Sequence, residues 1–79
     1  MQPEEIKVLL DAHLPGCQVN VAGEGANFQI RVVGPVFESL NAVKRQQAVY
    51  AAINEQISAG AIHAVTIQTY TPAEWASQS

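Results

Sequence analysis

The chain has a single cysteine, Cys17, so no intramolecular disulfide can staple its fold. It has no apolar run approaching the roughly 18 residues of a membrane span. Basic residues are scarce: four Lys and Arg stand against seven Asp and Glu, a net charge of −3. That balance argues against a protein that grips nucleic acid chiefly through its overall field. Catalytic constellations are missing as well. No serine or cysteine nucleophile stands beside a histidine, no carboxylates are paired at telling positions, and no glycine motif cradles a phosphate. Enzymatic activity is therefore not expected. The opening "MQPEEIKVLL" places two glutamates where a signal peptide would carry basic residues, and with the lone thiol this predicts a reducing, cytoplasmic setting without membrane contact.

What is present suits a small globular core. Hydrophobic residues make up 48% of the 79 positions and charged ones 14%, and residues 1–79 read as one domain near the lower size limit for independent folding. No repeat, linker or low-complexity tract interrupts them apart from the polar tail "ASQS". Pro3 and the pair Glu4-Glu5 open a helix with Ile6, Leu9, Leu10 and His13 or Leu14 at helical spacing, and Pro15-Gly16 ends it. His13 falls in the last turn, where an imidazolium suits the unpaired carbonyls. "CQVNVAGEGANFQIRVVGP" alternates in two runs, a hairpin with Cys17, Val19, Val21, Phe28, Ile30 and Val32 on one face. Its loop is expected to run from Ala22 to Asn27 and to be mobile.

After Pro35 a short turn leads to a long helix capped by Asn41, with an apolar stripe of Val43, Tyr50, Ile53 and Ile57 and a stop at Gly60. A strand from about His63 to Tyr70 follows, with Val65 and Ile67 inward and Thr66 and Gln68 outward. Thr71-Pro72 and Glu74 then open a short helix in which Trp75 packs with Tyr70 against the sheet. The order is α-β-β-α-β-α. A strand, a helix and a strand in sequence form a right-handed parallel crossover, so the hairpin and the last strand make a three-stranded mixed sheet with helices packed on one face, an α+β fold.

The segments "FESLNAVKRQQAVYAAINEQI" and "IHAVTIQTYTPAEW" resemble the BolA family, particularly its short bacterial members of the acid-stress type. Phe37-Glu38, Lys44-Arg45, Val49-Tyr50, His63-Ala64 and Thr71-Pro72 through Trp75 carry the resemblance in order and spacing, over nearly the whole chain. The resemblance implies a class II KH-like fold. It also implies a monothiol glutaredoxin as partner and a 2Fe-2S cluster shared with it, with His63 as an iron ligand. With Asn27 leaving the site one strong ligand short, the isolated protein is expected to hold no cluster and to be a monomer or homodimer when free.

By residue type alone His63 is a strand-end histidine, since one imidazole makes no metal motif. The family places a second ligand in the hairpin loop, a histidine just before the aromatic or a cysteine a little earlier. Here Asn27 precedes Phe28 and Glu24 lies upstream, both poor donors to such a cluster. Cys17 lies at the far end of the hairpin and reads as a small buried hydrophobe. The other function the resemblance raises is a DNA-binding transcriptional regulator in the stress response. The GxxG loop of KH domains is missing from "GPVFESLNAVKRQQ", and Arg31, Lys44 and Arg45 would form one small basic patch of weak, salt-sensitive affinity.

Overall fold

The computed structural model describes residues 1–78. Its elements are α1 (Pro3–His13), β1 (Gln18–Glu24), β2 (Asn27–Val33), a 3-10 turn (Pro35–Ser39), α2 (Ala42–Ser58), β3 (Ala64–Tyr70) and α3 (Pro72–Ala76). The helix boundaries lie where the capping chemistry puts them. The Gln2 N–H donates to Glu5 Oε1 at 2.9 Å, and the Lys44 N–H donates to the Asn41 side chain at 2.9 Å. At α3 the Thr71 hydroxyl accepts from the Glu74 N–H while Glu74 Oε1 accepts from the Thr71 N–H, a reciprocal box that lets five residues form a helix.

The sheet order is β1-β2-β3, antiparallel between the first two and parallel between β2 and β3. Side chains alternate as the sequence requires. Val19, Phe28, Ile30 and Val32 are buried on one face against Ile6, Leu10 and Leu14 of α1 and Val49 and Ile53 of α2. Val21, Val65 and Ile67 join this cluster half-buried, because β1 and β3 are edge strands and β2 is central. The helical layer consists of α1 and α2. The α3 turn closes one end of the sheet, and its Trp75 ring meets Tyr70 at 5.2 Å and the Arg31 guanidinium at 4.4 Å, both on the outer face.

Two expectations are corrected. The hairpin loop is not the six-residue mobile segment Ala22 to Asn27: strand pairing continues through Ala22↔Gln29, Gly23↔Phe28 and Glu24↔Asn27, leaving the two-residue turn Gly25-Ala26. Positive φ occurs at Gly25 (+61°) but not at Ala26, the sign pattern of a type II′ turn, whose twist matches that of the flanking strands. Gly23, which resembles a turn glycine in the sequence, sits in the strand because a Cβ there would collide with the Asn27 carbonyl and the Phe28 ring. The second correction concerns α2. Val43 is 65% exposed, and the buried stripe is Val49 and Ile53 with Tyr50 and Ile57 at its margin. Val43 stands about 120° round the helix from Val49 at 3.6 residues per turn.

Candidate functional site at the mouth of β3

The path that delivers His63 begins at the end of α2. The Gly60 N–H donates to the Ile57 carbonyl and the Ala61 N–H to the Gln56 carbonyl, with φ +81° at Gly60. This is a Schellman motif, which satisfies the last carbonyls of the helix while turning the chain sharply. Ile62, 2% exposed, then anchors the connection in the core. His63 follows immediately before β3. Its N–H donates to the Ala26 carbonyl at 2.8 Å and the Ala64 N–H reaches the same oxygen at 3.3 Å, while Ala64 is in register with Asn27. The His63 backbone is thus pinned between a buried isoleucine and the hairpin turn, and its side chain is exposed. The backbone is therefore fixed at the entrance to β3, while the exposed ring stands open to solvent or to a partner.

Asn27, the first residue of β2, is exposed beside the same turn. Glu24 closes β1 opposite it. Cys17 is half-buried next to Gly34, at the far end of the hairpin, roughly 25 Å from the turn at the rise of a β-strand. Burial pushes its thiol pKa up, and its place at the other end of the hairpin keeps it away from the turn. Among the described residues no three of His, Cys, Asp and Glu gather so as to hold a metal ion.

The three basic residues do not form one free patch. Arg45 is turned inward: its Nε donates to the Phe37 and Leu40 carbonyls at 3.0 and 2.9 Å, and its Nη1 meets Glu74 Oε1 at 2.8 Å, with only 16% of the side chain exposed. The Thr71 N–H first, and the Arg45 guanidinium second, hold the Glu74 carboxyl below the usual glutamate range. Arg45 thereby ties the 3-10 turn, α2 and α3 together. Arg31 lies on the outer face of the sheet against Trp75. Lys44 is exposed on the first turn of α2.

Sequence reasoning missed three of these contacts. Glu74 serves Arg45 as well as the cap, Trp75 backs Arg31, and the Gln46 side chain donates to the Ile67 carbonyl on the free edge of β3 at 3.1 Å. All three join residues at least 21 positions apart. The alternation of β2 gave the direction of Arg31 but carried no signal for its neighbour.

The BolA-like protein family model matches residues 1–74. Over 76 residues the chain is 45% identical to the acid stress protein IbaG of Escherichia coli K12, covering 96% of this chain and 90% of that protein. A solved BolA protein homologue from Coxiella burnetii superposes with a TM-score of 0.83 at 31% identity, over 96% of this chain and 97% of the other. The BolA domain of SufE1 from Arabidopsis thaliana superposes with a TM-score of 0.77 at 26% identity, over 91% and 93%. With the α-β-β-α-β-α order and mixed sheet seen here, these matches establish that the chain belongs to the BolA family.

Proposed function

We propose that this protein is a non-enzymatic adaptor that binds a monothiol glutaredoxin and takes part in the trafficking or sensing of 2Fe-2S clusters under stress. The observation that carries the reading is His63: an exposed imidazole on a backbone pinned to the Ala26 carbonyl, beside the hairpin turn, in a family member. A 2Fe-2S cluster bound there would supply redox chemistry, at a potential raised by histidine in place of thiolate and with a response to pH. The chain's own contribution is to orient that ring and to present the turn as a docking rim. Asn27 adds no second imidazole, so the remaining ligands come from the partner.

The test is co-purification with a monothiol glutaredoxin and visible circular dichroism of the complex. His63→Ala should remove the histidine-dependent spectrum and leave far-ultraviolet circular dichroism unchanged, while Cys17→Ala should leave both intact. An unchanged visible spectrum in His63→Ala would make the residue structural. DNA binding receives no comparable support, because Arg45 is committed to Glu74 and two carbonyls and the chain is acidic. Tight, sequence-selective binding of a duplex at physiological salt would reverse that ranking.

A further inference from the structure

The outer face of the sheet is open along most of its length. Strand register sets two adjacent rows of side chains across it: Asn20, Arg31 and Gln68 in one, Ala22, Gln29 and Thr66 in the next. Together they line a shallow concavity of about 440 Å³ with no acidic residue in it. That volume lies within the range of small-molecule sites.

Arg31 is anomalous there. It is half-buried, its Nε is enclosed without a hydrogen-bond partner, and among the described residues no carboxylate or carbonyl engages its guanidinium. Arg45 shows what a half-buried arginine in this protein otherwise obtains: a carboxylate and two backbone carbonyls. A chain with seven acidic residues has placed none of them within reach of Arg31. Instead the Trp75 ring packs against the guanidinium at 4.4 Å and, with the Nε enclosed, the two Nη groups are left as the donors open to a ligand. Carboxamides flank it in the same row on both sides, at the spacing of neighbouring strands.

We propose that this face binds a small molecule through its carboxylate or phosphate group, with Arg31 as the principal donor, Asn20 and Gln68 as lateral donors, and Trp75 as the positioning residue behind the guanidinium. A planar fork with amides on either side suits an oxyanion that accepts several hydrogen bonds at once. The site is independent of His63. It lies four residues along β2 from Asn27, about 13 Å at the rise of a strand.

The experiment is an amide and side-chain nuclear magnetic resonance titration of the full chain with inorganic phosphate and, separately, with succinate. Saturable shifts confined to the Arg31 guanidinium Nη–H groups, the Asn20 and Gln68 side-chain amides and the Trp75 indole are expected, and the anion that saturates at lower concentration identifies the ligand class. Arg31→Gln should weaken binding about 10-fold or more, and Arg31→Lys, which keeps the charge but loses the fork, should also weaken it. If Arg31→Gln does not fold, the exposed pair Asn20→Ala and Gln68→Ala decides: weakened binding supports the site, unchanged binding refutes it. Shifts that never saturate, that centre on Lys44 or the amino terminus, or that survive Arg31→Gln overturn the proposal. So does a response to a single-stranded oligonucleotide with none to either small anion.

Discussion

Replacing Ile30 by alanine tests the sheet register that positions every candidate residue. Ile30 is 2% exposed in the central strand and lies in one core-facing row with Val21 and Ile67. Its removal leaves a cavity closed above by the helices and on both sides by neighbouring strands, so the cost should lie in the middle of the range for buried isoleucine, about 3–4 kcal/mol. A domain of 79 residues has about 4–12 kcal/mol in total, so the variant should be near its unfolding midpoint or clearly weakened. Ile67 occupies the same row on an edge strand and is half-buried, so Ile67→Ala should cost less, about 1–2 kcal/mol. Thr66 points to the outer face and is exposed, and Thr66→Ala should stay within about 0.5 kcal/mol. Urea unfolding followed by Trp75 fluorescence gives all three, provided the denaturant slope is unchanged. If Thr66→Ala proved worse than Ile67→Ala, β3 would be displaced by one residue, and the alternation used to place Arg31 and Gln68 on one face would fail with it.

Asn27→His should lengthen the lifetime of a cluster shared with glutaredoxin by offering an imidazole beside the turn; a half-life no longer than that of the unmodified complex would argue against the shared site. Glu74 has a lowered pKa in the folded state, so its contribution is present above its unfolded pKa and is lost as pH falls through the folded value. Unfolding measured between neutral and strongly acidic pH should therefore show a shallower acid dependence in Glu74→Gln; identical slopes would mean that the contacts with Thr71 and Arg45 contribute nothing. Asn41→Ala removes the acceptor of the Lys44 N–H and should lower stability by about 0.5–2 kcal/mol in the same urea assay. Gly25→Ala should cost about 1–2 kcal/mol because of its positive φ, with the hairpin register retained by chemical shifts.

Local chemistry was legible in the sequence wherever one residue decides the outcome within a turn or two. The Asn41 and Thr71 caps, Pro3 and Pro72 at the first helical positions and the stop at Gly60 all stand where the sequence puts them. The alternation of Val19 and Val21 against Phe28, Ile30 and Val32 likewise placed one face of the hairpin in the core. The family resemblance, carried by the order of short segments, drew attention to His63 and Asn27, which the structure places on either side of the hairpin turn's contact with β3. The loop was misjudged because two glycines in "AGEGAN" look alike in composition, while one supplies a positive φ and the other a gap for the Phe28 ring.

The sequence by itself determined the element order, the caps, the core face of each strand and the position of His63 at the entrance to the last strand, because these follow from periodicity and from hydrogen bonds spanning three or four residues. Tertiary structure alone decided which side chains meet across the fold. Arg45 was expected in one small basic patch with Arg31 and Lys44, and became an internal clamp because α3 returns Glu74 to it from 29 residues away. Arg31 was one of three residues expected to form a basic patch, and among the described residues it became a guanidinium with no carboxylate partner, packed against Trp75 from 44 positions later. Such pairings depend on where the chain goes after it leaves each element, and no local preference encodes that distance.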